Sequence, residues 1–333
     1  MRGTPVDSTG TSEANTHTIS EIPKIHAELA NPRTLHRQTD TELKLESKSR
    51  SISKHQKTDF HRAAEYLIET LIFGSSTIAY EKQDSIMKVG RGSYGCVFRI
   101  GLEYVIKIPR NDDTGPIPDI EQEIESLNHE IDILQGIKKL QHINIVNYLY
   151  SGKYQNIPFI VLTYLKDYTT LYRAVKIDAQ YNTENIYRQI NSAVDAIHNA
   201  GYVHYDLNVG NIMYNVQTGH VCIIDFGLAC HADCKGFKRP ELYDNPAFPP
   251  YHGKGSMSTK QGKTADMYFI AIALVYMLTR GKIDHYRENP KYTRKEYLNE
   301  ANAFLDALPI DNGYDWKHIV ESRILASYDS TGF

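Results

Sequence analysis

Two aspartates and their surroundings constrain this chain more than any other feature: Asp206 in VHYDLNVGNIM (residues 203–213) and Asp225 in IIDFGLA (residues 223–229). Taken singly, an aspartate is more often a turn or cap residue. The order and spacing of these two, with Asn211 between them, fit one active site. Asp206 is placed to accept or orient the proton of an attacking hydroxyl, while Asn211 and Asp225 offer oxygen ligands to a divalent cation such as magnesium.

Further motifs point the same way. GRGSYGCV (residues 90–97) has the form G-x-G-x-x-G-x-V, and strand-like segments flank it on both sides. Alone it is a weak signal, since a glycine-rich hairpin turn looks the same. Beside the aspartates it reads as a loop in which Gly90, Gly92 and Gly95 let backbone approach the phosphates of ATP, followed by Val97. Lys107 in VIK (residues 105–107) follows on a strand, where an ammonium with apolar neighbours can reach the α- and β-phosphates. A snorkelling surface lysine is the bland alternative. Such a lysine needs a carboxylate to hold it, and the next helix offers Glu121, Glu123, Glu125 and Glu130. Glu130 is chosen because it opens EIDIL and sets Leu134 one turn on, facing the core; the other three are read as solvated. Together these groups suit phosphoryl transfer, in which metal and lysine stabilise developing charge while the nucleophile is held in line.

The pattern along the chain predicts an α+β fold with two lobes. Residues 1–57 mix Ser, Thr and charged residues without a sustained apolar period and are expected to be disordered; the basic residues at 44–57 are read as a solvated tail. Apolar residues at helical spacing predict a helical extension over 58–79, and the catalytic domain is expected over 80–333. Strands are predicted at 85–89, 96–100, 104–108, 145–150 and 159–164, with a helix over 119–137. Helices are then predicted at 183–200 and 264–279, with a hairpin near Thr218 and Gly219. Strands first and helices later imply a small β-rich N-lobe and a larger helical C-lobe.

Composition excludes several classes. A net charge of −3 argues against an obligate nucleic-acid binder, which would carry a strong basic excess. The longest uncharged apolar run, 267–278, is shorter than the roughly 20 residues of a membrane span and reads as a buried helix. Four cysteines and no apolar leader argue against a disulfide framework, so the chain is expected to be intracellular, cytoplasmic or nuclear. Cys222, Cys230, His231 and Cys234 fit no standard zinc spacing and are read as unrelated, so no protein metal centre is assigned to them.

With these motifs in order, residues 90–281 resemble a eukaryotic-type protein kinase domain, HINIV (residues 142–146) and Asp266 in ADMYFIAI included. The resemblance implies an ATP-dependent, magnesium-requiring enzyme acting on a protein substrate, serine or threonine by preference. It further implies that Asp266 holds the catalytic-loop backbone, that Leu162 is the gatekeeper, and that the backbone of Thr163 and Leu165 binds adenine. Several residues depart from the family pattern. Tyr205 stands where the family has arginine, Asn208 where serine/threonine kinases have lysine, and NPAFPPYH (residues 245–252) where A-P-E is usual. The PAFPP segment is similar to kinases of large DNA viruses, and the short run beyond the central helix predicts a trimmed helical lobe. Ser93 and Tyr94 at the glycine-loop tip are candidate inhibitory phosphorylation sites, though an aromatic there more often shields the site. Two other readings compete: a small-molecule phosphotransferase of related fold, towards which Asn208 and Gly210 lean, and a pseudokinase scaffold.

Overall fold

The structure is a computed structural model, and it describes residues 86–92, 95–109, 120–154, 157–231, 235–238, 249, 254–256, 259–284, 293–308 and 313–329. The expectations for 1–57 and 58–79, for Ser93, Tyr94 and Cys234, and for most of 245–252 lie outside these residues.

β1 (Ile86–Gly92), β2 (Gly95–Ile100) and β3 (Tyr104–Ile108) precede α1 (Ile120–Ile137), and β4 (Tyr148–Tyr154) and β5 (Ile157–Thr163) follow it. They form one antiparallel sheet of order β1-β2-β3-β5-β4. Its centre is fully covered: Ile106, Ile108 and Ile160 have no exposed surface, as befits β-branched side chains on a pleated, buried surface. α1 lays Leu127, Leu134 and Ile137 into the core and packs against β5, with Glu121 and Glu123 in its first turn, where carboxylates favour the positive end of the helix dipole.

The strand expected over 145–150 begins later, at Tyr148. Ile145 instead makes a parallel bridge to Ile223. The Val146 N–H donates to Ile223 O at 2.9 Å, and the Ile223 N–H to Asn144 O at 2.8 Å. Backbone groups engaged there cannot also join the sheet. The Asn144 amide extends the junction, donating to Gln189 Oε1 at 2.8 Å and to Val221 O at 2.7 Å.

Helices then dominate, with β6 (Tyr168–Thr170), α2 (Leu171–Lys176), α3 (Thr183–Asn199), β7 (Tyr202–Val203), β8 (Ile212–Asn215), β9 (Val221–Ile223) and β10 (Cys230–His231) leading to α4 (Thr259–Leu278), α5 (Arg294–Asp306) and α6 (Trp316–Asp329). α3 starts at Asn182, whose side chain accepts the Asn185 N–H at 2.9 Å, and buries Ile186, Ile190, Ala193, Val194 and Ile197 along one face. β8 and β9 form the hairpin expected near Gly219, and β6 completes a three-stranded sheet. α4 is buried all round from Tyr268 to Met277, as the long apolar run predicts. Among the described residues no helix is long and apolar enough to cross a membrane. α4 starts earlier than expected, at Thr259, because its polar first turns carry no apolar period. α5 and α6 extend the helical part beyond α4, with Tyr297, Ala301, Leu305, Trp316, Val320 and Ile324 in the core. α5 begins with a reciprocal capping box between Thr293 and Glu296.

Cys96 and Cys222 are free and buried. Cys230 is disulfide-bonded, which corrects its reading as an unlinked thiol. Among the described residues there is no cluster of His, Cys, Asp and Glu fit to hold a metal ion.

Candidate active site

The sheet register places the glycine loop and the lysine together. Gly90 lies opposite Val97, Val97 opposite Lys107, and Lys107 opposite Ile160. Directly opposed residues share a face, so Val97 and Lys107 project to the same side. Gly95 has a local reason to be glycine, since a Cβ there would fall 2.6 Å from the Ile108 carbonyl oxygen. The backbone of β2 can lie this close to β3 only without a side chain at that point.

Lys107 is 5% exposed, and its ammonium lies 2.7 Å from Glu130 Oε2 and 2.8 Å from Asp225 Oδ1. Burial works to lower the ammonium's pKa, but the two carboxylates outweigh it and hold Lys107 charged above the usual lysine range. Burial likewise opposes ionisation of Asp225, where the Lys107 cation prevails and the pKa is lowered. At Glu130, 2% exposed, burial prevails over the attraction of Lys107 and raises the pKa. Of the helix's other candidates, Glu121 and Glu125 are exposed as expected, whereas Glu123 is buried, contrary to the solvated reading.

The loop between β7 and β8 carries Asp206 and Asn211, and Asp266 near the middle of α4 ties it down. Asp266, with no exposed surface, accepts the His204 N–H at 2.9 Å and the Tyr205 N–H at 2.7 Å, and His198 Nε2 lies 2.8 Å from its Oδ2. Backbone groups bound in this way fix the loop without a regular ladder. The His204 Nε2 sits 3.1 Å from Ile224 O, and burial lowers its pKa, so the ring stays neutral and links the two aspartate-bearing segments. Tyr205 and Asp225 adopt left-handed backbone, φ 70° and 61°, an uncommon conformation for non-glycine residues.

Asp206 receives an amide on each oxygen: Asn208 Nδ2 donates to Oδ1 at 2.8 Å, and Asn211 Nδ2 to Oδ2 at 2.8 Å. Burial pushes the carboxyl up to about 7, against these two hydrogen bonds and with help from the negative charge of Asp225. Asn211 also bonds the Asp206 carbonyl at 2.9 Å, and its own carbonyl accepts the Ile224 N–H at 3.0 Å, which carries the connection on towards Asp225.

Thr163 ends β5 and donates its N–H to Asn147 O at 3.1 Å. Leu165, half-buried, lies in the connector that follows, its carbonyl accepting the Tyr168 N–H at 3.4 Å. Leu162, the expected gatekeeper, is 9% exposed on β5.

Two contacts were invisible in sequence. His129, next to Glu130 on α1, places Nε2 2.7 Å from the Ala229 carbonyl, joining this helix to the segment after Asp225. The other is the bond from Asn208 to Asp206. Neither belongs to a periodic pattern, and the only signal for the second was an asparagine where a lysine was expected.

The site can be fitted to its ligands by donor chemistry. Asp225 keeps 30% of its side chain exposed although Oδ1 is engaged by Lys107. With Asn211 Nδ2 taken by Asp206, the amide's remaining polar atom is Oδ1, a hard oxygen of the kind magnesium selects.

A family model described as protein kinase domain matches residues 83–323. The chain is 28% identical over 254 residues to the serine/threonine-protein kinase AtPK2/AtPK19 of Arabidopsis thaliana, an alignment covering 70% of this chain and 51% of that protein. It is 24% identical over 265 residues to the mitogen-activated protein kinase spk1 of Schizosaccharomyces pombe, covering 73% and 64% respectively. With the calcium/calmodulin-dependent protein kinase type 1 of Macrobrachium nipponense the identity is 27% over 214 residues, or 60% and 54%. The chain thus spans roughly half to just under two thirds of the length of these relatives.

Proposed function

Because this chain belongs to the protein kinase domain family, matched over residues 83–323, we propose that it transfers the γ-phosphate of ATP to a hydroxyl of a protein, serine or threonine in preference to tyrosine. The observation that carries this reading is the Lys107 ammonium held between Glu130 and Asp225. This arrangement keeps a full positive charge, with its geometry fixed in advance, in a buried site where such charges act most strongly on a substrate.

In this reading Asp206 takes the proton of the attacking hydroxyl as the new O–P bond forms and the bond to the β-phosphate oxygen breaks, releasing ADP. Lys107 contacts the α- and β-phosphates, and Glu130 keeps it there. Gly90, Gly92 and Gly95 bring loop backbone to the phosphates, Val97 covers the nucleotide, and the backbone of Thr163 and Leu165 receives adenine. Asn211 and Asp225 would hold magnesium, which supplies positive charge to the phosphate oxygens when bound. The preference for serine and threonine is supported by the named activity of the relatives, and we place the reaction inside the cell, in cytoplasm or nucleus, where ATP is available.

The test is to incubate the purified full chain with γ-labelled ATP, magnesium and a mixture of proteins and small alcohols, then separate the products and identify the labelled amino acid. Label on serine or threonine of protein is expected. Label confined to small alcohols, to tyrosine, or to nothing at all overturns the corresponding part of the reading.

A further inference from the structure

We propose that Asn208 is a positioning residue for the proton acceptor: its side-chain NH2 fixes the Asp206 carboxylate, and its own amide is fixed in turn by the backbone of Gly210. This rests on the reading of Asp206 as the base. Asn208 Nδ2 donates to Asp206 Oδ1 at 2.8 Å while Asn208 Oδ1 accepts the Gly210 N–H at 2.8 Å. The first bond is charge-assisted and opposes the one from Asn211, so the carboxylate is gripped from both sides and cannot rotate without breaking a bond to a charged group. A lysine here could offer the donor but not the acceptor, because an ammonium has no lone pair. An aspartate could offer the acceptor but not the donor.

Gly210 is the counterpart of this arrangement. A Cβ on Gly210 would lie 2.9 Å from Asn208 Oδ1, closer than a Cβ contact normally comes, so a side chain at 210 would push the asparagine amide out of this position. Asn208 and Gly210 therefore act as one device: an uncharged clamp on the base stands where the family has a cation.

Four single variants of the full chain and one double variant separate this role from a merely structural one, with kcat, KM for ATP and melting temperature measured for each. Losing one hydrogen bond to a charged group corresponds to a fall of about 10- to 100-fold. Asn208→Ala and Asn208→Asp should lose that much in kcat with KM for ATP changed by no more than about threefold, since the clamp acts on the base and not on the nucleotide. Asn208→Lys, which restores a donor but not an acceptor, should recover much of the loss. Gly210→Ala should lower kcat in the wild-type background and have little further effect beside Asn208→Ala, because both changes disable the same contact. If Asn208 served only to cap the Gly210 N–H, the ranking would invert, with Asn208→Asp active and Asn208→Lys inactive, and the proposal would be overturned. It is equally overturned if the variants lose melting temperature while kcat per folded molecule stays at the wild-type value. A wild-type chain that transfers no phosphate overturns the reading of Asp206 itself, and the role of Asn208 with it; an active wild type with Asn208→Asp at full rate overturns the role of Asn208 alone.

Discussion

Asp225 Oδ1 lies 2.8 Å from the ammonium of Lys107, a contact between residues 118 apart in sequence that joins the strand lobe to the loop after β9. Glu130 completes the junction from the other side at 2.7 Å. Because the lysine and glutamate are almost wholly buried and each offsets the other's burial, neither can be removed without exposing the cost of burying its partner.

The first prediction follows directly. Lys107→Met leaves Glu130 without its cation, and breaking a buried pair in this way costs about 3–5 kcal/mol. Adding Glu130→Gln should restore part of the lost melting temperature, because the uncompensated carboxylate is then gone, while phosphoryl transfer stays absent in both. Thermal denaturation of the single and double variants checks the coupling; strictly additive losses would contradict it.

Asp206→Asn should lower transfer by about 100-fold or more while nucleotide binding in magnesium survives, because on the proposed reading the change removes the proton acceptor and no phosphate contact. Asp225→Asn should weaken magnesium-dependent nucleotide binding as well as turnover. The Asp206 carboxyl is pushed up to about 7 by burial, and a base must be deprotonated to act. The profile of kcat/KM, which reports the free enzyme, should therefore fall as pH drops through about 7 and level off above it. Calorimetric titration of nucleotide into both variants, beside the wild-type pH profile, tests these expectations.

The candidate site was legible to the extent that its chemistry is local in sequence. Asp206, Asn211 and Asp225 announce themselves by fixed spacing within short motifs, and Glu130 was separable from its neighbours because helical phase fixes which carboxylate faces the core. Glu123, two turns before Glu130, shares its face and is buried as that phase requires, so the solvated reading of Glu123 missed what the argument contains, and phase alone does not tell which of the two meets Lys107. The clamp on Asp206 and the bond from His129 to Ala229 were not legible, because a hydrogen bond between particular side-chain atoms leaves no period in the sequence. In the fold, strands and helices with one apolar face were found where expected. The start of β4 was displaced because residues 144–146 bond to β9 first, a tertiary contact that local propensity does not contain.

Cys222 on β9 is 2% exposed, and burial pushes its thiol up to about 12. The unfolded thiol ionises near 9, so the folded state retains this proton where the unfolded state has lost it. Stability from this group is fully present below pH 9 and declines as pH rises towards 12, at about 1.4 kcal/mol per pH unit. Cys222→Ala should show a shallower alkaline loss of stability than the wild type, measured by denaturant titration between pH 8 and 11. A thiol reagent at pH 8 should label Cys222 only after unfolding; rapid labelling of the native chain would contradict its burial.

Tyr205 occupies the place where the family's arginine commonly grips a phosphorylated activation segment, and here that place is apolar. Its side chain is 2% exposed and packs with Val203, Leu228, Cys230 and Ala265, while its backbone N–H is bound by Asp266 at 2.7 Å. The arginine grip relies on a charge-assisted, often bidentate contact with phosphate, and a buried phenol offers at most one neutral hydrogen bond. Between Asp225 and Asn245 there is no serine or threonine, and Tyr243 carries the sole hydroxyl. We therefore expect the packing of Tyr205 on Leu228 and Cys230, and not a phosphate, to order the start of that segment. Enzyme shown by mass spectrometry to be free of phosphate should already be active, and phosphatase treatment should change its rate by less than about twofold. Tyr205→Arg would bury an unpaired guanidinium among apolar neighbours and should destabilise the fold without conferring phosphate-dependent activation. Phosphate-free enzyme that stays inactive until phosphate is added between Gly227 and Thr259 would contradict this account, because the ordering assigned to Tyr205 would then have to come from the added charge.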